Sequence, residues 1–286
     1  MNKKISMNKK SSLSLRFLYN TIMGRCFLKV LTLPLISKFI GKIMSSRFST
    51  LFIKRFITKN NINMEDFEDI KYSSYNDFFT RKIKDNKRKA DLSSTSFISP
   101  CDSKLSVYKI TEDLEFNIKG TNYSIYDLLQ SDDLAKKYIN GQLLIFRLCV
   151  DDYHRYCYVD NGYHEDNIYI KGLLHTVQPI AFKKYDVYKT NCREYTILHT
   201  QNFGDVVQVE VGALLVGKIK NIHNNYTFKK GEEKGYFEFG GSTICLLVEN
   251  NKVEILKHIL KNTQQEFETV VKYGERIGTK IENSNN

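Results

Sequence analysis

The chain has 286 residues, enough for one large domain or two small ones, and a formal net charge of +11. The surplus is local: residues 1–60 hold 13 Lys and Arg and no acid, while the remainder holds 30 basic against 32 acidic side chains. A body without basic surplus excludes nucleic acid as its natural partner, and six scattered Cys with no C-x-x-C pair and no His cluster predict neither a disulfide framework nor a metal site.

Residues 1–12 repeat Met-Asn-Lys-Lys and read as a disordered basic tail. From 13 to 57 apolar residues recur at helical spacing with Lys and Arg between them, and Pro34 divides two helices. No uncharged run there approaches the ~20 residues that span a bilayer, and no apolar signal-peptide core precedes a cleavage site. Basic amphipathic helices suit the surface of an anionic membrane. They serve equally to cover a sheet core, and the two roles are compatible. A polar linker at 60–66 then separates an amino-terminal block, 1–60, from a body, 61–286.

In the body, residues 73–84 predict a short helix or loop anchored by Phe78 and Phe79. Residues 97–108 read as strand, turn, strand, with Pro100 and Asp102 as ordinary turn residues. Residues 117–130 read as a strand entering a short helix with Ser124 at its N-cap. A buried-type strand at 142–150 delivers Asp152-Tyr153-His154-Arg155; taken alone, a His there is more often a satisfied surface residue than a catalyst. Val207, Val209 and Val211 alternate with polar residues, as an antiparallel strand does. A charged turn at 228–235 follows, then a short helix at 254–261 and a closing strand region at 270–278. The sum is an α+β fold, a β-rich antiparallel core behind amino-terminal basic amphipathic helices.

One stretch organises the rest. Residues 236–239 alternate aromatic and charged types, residues 244–248 are apolar, and Gly240 and Gly241 between them lead into a lone hydroxyl, Ser242. Locally this is a β-bulge or tight bend, where glycine allows positive φ and close approach to the peptide. The other reading makes the Gly241–Ser242 peptide itself the reactive group.

Gly-Glu-Glu-Lys-Gly-Tyr-Phe-Glu-Phe-Gly-Gly-Ser-Thr (231–243) and Asp-Tyr-His-Arg (152–155) resemble the phosphatidylserine decarboxylase proenzyme family, pyruvoyl-dependent and of the prokaryotic type. Weaker similarities run in the same order from 73 to 278: Asp-Phe-Phe-Thr-Arg-Lys-Ile (77–83), Ser-Pro-Cys-Asp (99–102), Lys-Gly-Thr-Asn-Tyr-Ser-Ile (119–125) and Gly-Leu-Leu-His-Thr-Val-Gln-Pro (172–179). The resemblance implies self-cleavage ahead of Ser242, with Gly241 as cleavage partner, into a 1–241 β chain and a 242–286 α chain that stay associated. Ser242 would become a covalent pyruvoyl cofactor. Phosphatidylserine in an anionic membrane would yield phosphatidylethanolamine and carbon dioxide. The protein would be peripheral on the cytoplasmic side of the cell membrane and, by analogy, a homodimer.

By the same resemblance His154 is the catalyst and Asp102 orients the processing base. Two departures stand out. Ser103 replaces the family's Gly after Asp102, and Cys157 replaces the second His of Asp-Tyr-His-Arg-x-His, which serves the cut. Three substitutes are available: His154 doing both jobs, Cys157 as a thiolate, or His175 as a helper. His164, His199, His223 and His258 match no motif and read as surface residues. The Cys157 departure leaves open a processing-dead membrane-binding homologue; a pyruvoyl decarboxylase of another amino acid is a further alternative.

Overall fold

The computed structural model describes residues 3–7, 12–85, 87–118, 121–182, 185–214, 218–240 and 242–282. Its centre is an antiparallel sheet in the order Lys4–Ser6, Phe267–Val271, Ser103–Lys109, Gln142–Leu148, Ser242–Val248, Gly204–Val211, Arg193–Thr200, Gly162–His164, Tyr226–Phe228, with Ile168–Ile170 also pairing to Arg193–Thr200. Side chains on a strand alternate between faces, and here both faces are covered. Leu144, Phe146, Ile244 and Leu246 enter one apolar cluster, while Leu143, Ile145, Cys245 and Leu247 enter the other. That double burial explains why Ser242–Val248 is apolar after its first two residues rather than alternating.

A three-stranded sheet, Ile219–Asn221, Glu233–Phe237 and Arg155–Cys157, lies against the large one. Lys234 Nζ donates to Glu210 Oε1 at 2.9 Å and to Asn221 Oδ1 at 2.6 Å. Both charged groups are buried, so removing either would leave an uncompensated charge. This clamp fixes the strand that leads into Ser242.

Several expectations change in three dimensions. Residues 4–6 are not a loose tail: they pair with Phe267–Val271 and satisfy the backbone groups of an exposed sheet edge. The helical region holds four α-helices rather than two, Leu13–Asn20, Ile22–Leu31, Pro34–Met44 and Leu51–Asn60. Pro34 opens the third, as expected, but Thr21 adds a break, its hydroxyl accepting from Gly24 N and donating to Phe17 O, each at 2.9 Å. Tyr19 and Leu28 are buried in the sheet core, whereas Leu13, Ile22, Leu35, Phe48 and Leu51 are each more than 70% exposed. The expected helix at 254–261 lies later, at Lys257–Gln264, because Val253–Ile255 is a strand. The closing region is split: a turn at Gly274 (φ 76°) sends Arg276–Lys280 into a separate sheet with Val253–Ile255 and Ser96–Ile98. Among the described residues, no helix is long and apolar enough to cross a membrane.

Candidate active site

Ser242 is the first residue of a central strand, paired with Leu148, and it is wholly buried. Gly240, two residues earlier, takes φ 135°, a conformation closed to other residues without strain. Gly241, the expected cleavage partner, lies outside the described residues.

Opposite the Ser242 hydroxyl, at 3.5 Å, is Nδ1 of His154, also wholly buried. The other ring nitrogen, Nε2, lies 2.9 Å from the Cys149 carbonyl oxygen. A carbonyl only accepts, so Nε2 carries the proton and Nδ1 presents a lone pair to Ser242. Burial, helped by the nearby Arg81 charge, pushes the His154 pKa down to about 3. The ring is therefore neutral at ordinary pH, with Nδ1 free of a proton.

Three sequence segments converge to hold this pair. Asp152 accepts from Cys149 N at 2.7 Å and from Lys104 Nζ at 2.5 Å, pinning the turn before His154. Phe79 stacks on the His154 ring at 4.1 Å between centroids. Arg155 donates to the Thr80 carbonyl at 2.7 Å and to Glu233 at 2.5 Å, joining the Tyr75–Phe79 helix to the strand before Ser242. Phe237 N donates to the His154 carbonyl at 3.0 Å, and Phe239 N to Asn76 Oδ1 at 2.9 Å. The residue pattern pointed to Phe79 only as a core anchor and gave no signal for Asn76 or for the Cys149 carbonyl, since a backbone acceptor has no residue type.

Asp102 is not part of this contact. Its carboxylate accepts from Arg88 Nη1 at 2.6 Å, Lys272 Nζ at 2.9 Å and Tyr273 N at 2.9 Å, and none of its described bonds goes to His154. The expected orienting role finds no contact among the described residues, because other donors occupy both carboxylate oxygens. The described contacts that hold the His154 ring are the Cys149 carbonyl and Phe79. Asp102→Asn should therefore cost stability, on the order of 2 kcal/mol for weakening a buried carboxylate between two cations. It should leave the pH profile of any His154-dependent reaction in place. A thermal melt and a pH–rate profile check both halves; a profile displaced by the substitution would restore Asp102 as orienter.

The other candidates separate clearly. Cys157 is fully buried, its thiol directed at the Ser99 carbonyl, and burial pushes its pKa up to about 12. It is a thiol, not a base. His175 contacts Tyr19 through Nδ1 at 3.4 Å and stacks on Tyr185, with Asn191 bonding its backbone, and none of its described contacts reaches Ser242. Of the histidines expected at the surface, His164 is buried: its Nδ1 donates to the Glu165 carbonyl at 2.7 Å and its Nε2 meets the Tyr158 hydroxyl at 2.9 Å.

Along the Leu148–Tyr153 segment, which runs from the residue paired with Ser242 towards His154, opens a cleft of about 1040 Å³. Its walls include Leu148 to Tyr153, Ala213, Leu214 and, from the amino-terminal block, Ser12 and Leu15. A buried serine with a neutral imidazole at its hydroxyl, set after a glycine pair, defines a site for proton abstraction from a serine hydroxyl next to its own peptide bond.

Comparison with known proteins gives the class a family. Residues 75–279 match the model of the phosphatidylserine decarboxylase family, so the chain belongs to it. It is 49% identical over 265 residues to phosphatidylserine decarboxylase proenzyme 2 of Clostridium acetobutylicum, covering 92% of this chain and 91% of that protein. It is 42% identical over 276 residues to the phosphatidylserine decarboxylase proenzyme of Clostridium tetani, covering 93% and 92%.

Proposed function

We propose that the chain is a proenzyme that cuts itself at Gly241–Ser242 and then decarboxylates phosphatidylserine to phosphatidylethanolamine through a pyruvoyl group made from Ser242. Family membership supports the activity. The observation that carries the residue assignment is the contact between Ser242 Oγ and the unprotonated Nδ1 of His154.

In the cut, His154 takes the Ser242 hydroxyl proton as Oγ attacks the Gly241 carbonyl carbon. The peptide C–N bond breaks, its nitrogen gains a proton, and an ester replaces it. Loss of the Ser242 α-proton then breaks the Cβ–O bond, freeing chain 1–241 with a carboxylate end. Water replaces the nitrogen of residue 242, which leaves as ammonia. Such an intramolecular attack depends mostly on positioning, which the Arg155, Asn76 and Lys234 contacts supply from either side. The residues fit the pyruvoyl group: residue 242 is shielded from water and has a proton-transfer partner. When formed, that group supplies the electron sink for decarboxylation. His154, in contact with residue 242, is placed to move protons in both reactions. The intact mass of the 242–286 piece tests the assignment, together with carbon dioxide release from phosphatidylserine against free serine. An amino-terminal serine on that piece, or equal turnover of free serine, would overturn it.

The first 60 residues are proposed as a docking block on the cytoplasmic face of the cell membrane, peripheral rather than spanning, with 61–286 as the catalytic body. Exposed apolar side chains at Leu35, Phe39, Phe48 and Leu51 alternate with Lys and Arg, and this block also borders the cleft that a headgroup must enter. The cut chains are proposed to stay joined, because Ser242–Val248 is paired on both sides by strands of the other piece. By family analogy the assembly is a homodimer. In flotation assays, vesicles with anionic lipid should capture the protein, neutral phosphatidylcholine vesicles should not, and salt should weaken capture. Phe48→Asp with Leu51→Asp should reduce it; capture unchanged by both lipid charge and these substitutions would refute the docking block.

A further inference from the structure

Arg81 is the one buried guanidinium whose donors are left open among the described residues. It is 2% exposed, its Nη1 donates to the Phe78 carbonyl at 3.3 Å, and its Nε and Nη2 have no hydrogen-bond partner. Two other arginines, buried Arg193 and half-buried Arg147, show how this chain treats such groups. Arg193 satisfies all three nitrogens on backbone carbonyls at 2.6–2.9 Å. Arg147 uses Nε and Nη2 as a two-pronged fork on Glu268, at 2.8 and 2.5 Å. In Arg81 the fork edge is the open one. Leaving charged donors unsatisfied in a buried site costs free energy unless something else binds there.

Its surroundings point to the active site. The guanidinium lies 4.2 Å from the Phe67 ring centre and 4.7 Å from that of Phe78. Phe67 and Tyr153 also line the 1040 Å³ cleft, and Phe79, two residues before Arg81, stacks on His154. No salt bridge to Arg81 occurs among the described residues, although Asp102 is near enough to act on its charge. Burial pushes the Arg81 pKa down to about 10, which still leaves it cationic at neutral pH.

We propose that the Nε/Nη2 edge of Arg81 receives the phosphodiester of the substrate headgroup, making Arg81 a specificity-determining residue. The fork matches two oxygens of one anion. Phosphatidylserine offers two such groups, and the chemistry chooses between them. The carboxylate loses its charge as carbon dioxide forms, so a guanidinium on it would stabilise the ground state more than the transition state. The phosphodiester keeps its charge throughout, and a cation there binds both states alike. Phe67 is the wall shared by cleft and guanidinium, and binding requires that ring to turn aside.

This inference rests on the phosphatidylserine assignment, and its test separates the two. With rates counted per cut molecule, Arg81→Met should raise KM for short-chain phosphatidylserine by about 10–100-fold, the range for a lost hydrogen bond to a charged group, with kcat within about threefold. Arg81→Lys should recover part of the loss. An unchanged KM, or an effect confined to kcat, would overturn the proposal. A second measurement needs neither cutting nor a pyruvoyl group. Ser242→Ala protein is titrated calorimetrically with glycerophosphoethanolamine, glycerophosphoserine and serine, with Arg81 intact and as Lys. The two phosphodiesters should bind and lose affinity in the Arg81→Lys protein. If only ligands bearing a carboxylate depend on Arg81, the anion is the carboxylate; if none does, the edge holds solvent, and either result defeats the proposal. Should phosphatidylserine not be decarboxylated at all, the function fails, while glycerophosphoethanolamine binding still decides the role of Arg81.

Discussion

Ser242→Ala is expected to run as one full-length chain on a denaturing gel, however long it is incubated, while the unchanged protein yields pieces 1–241 and 242–286. The effect is total because the ester is formed by the Ser242 hydroxyl itself. Folding should be nearly untouched. Ser242 is wholly buried, its strand pairing is made by the backbone, and its described side-chain contact is the 3.5 Å approach to His154. Replacing Oγ by hydrogen at such a place costs on the order of 1 kcal/mol, so a melt close to that of the unchanged protein should accompany the loss of cutting. Ser242→Cys keeps a nucleophile and should cut slowly. Mass spectrometry completes the test: the 242–286 piece of active protein should be blocked to amino-terminal degradation, because its first amine has become a ketone. Cutting that persists in Ser242→Ala would end the mechanism proposed above.

His154→Gln is expected to slow the cut by about 10²–10⁴-fold, the usual worth of a positioned general base. The substitution keeps polar atoms but removes the basic lone pair at Nδ1. Its pH dependence is the sharper signature. The His154 pKa is lowered to about 3 by burial and then by Arg81, so Nδ1 stays free of protons throughout pH 5–8. The cutting rate should be flat across that range with respect to this group and fall only in stronger acid, as pH drops through the folded value. Stability follows the same linkage with its own window. The folded pKa lies below the ordinary histidine value of about 6.5, so the unfolded chain takes up the proton first. Stability is therefore fully present above about pH 6.5 and declines as pH falls toward the folded value. His154→Phe, which keeps a ring against Phe79, should flatten that part of the urea midpoint against pH. A cutting rate that halves near pH 6.5 would mean that a solvated histidine, not His154, is the base.

The departure at Cys157 has a physical resolution. The thiol sits at the Ser99 carbonyl with its ionisation suppressed, while the imidazole retained at position 154 already faces Ser242. Of the alternatives left open by the sequence, His154 doing both jobs is the one the geometry favours. Against the processing-dead alternative stands the unprotonated imidazole that faces Ser242 without the second histidine.

Local spacing along the chain determined the strands on either side of Ser242, the helical amino-terminal block with Pro34 opening a helix, the N-cap at Ser124, and a hydroxyl placed after two glycines. These features depend on neighbours a few residues apart, where side-chain periodicity and backbone restriction act directly. Tertiary structure alone decided which groups meet. His154 reaches Ser242 across 88 positions, the Asp102 carboxylate is taken up by Arg88, Lys272 and the Tyr273 amide, a backbone carbonyl bonds the His154 ring, and the Arg81 fork has no hydrogen-bond partner among the described residues. Those outcomes are set by strand order, register and burial, and none of the three can be read from residue types at short spacing.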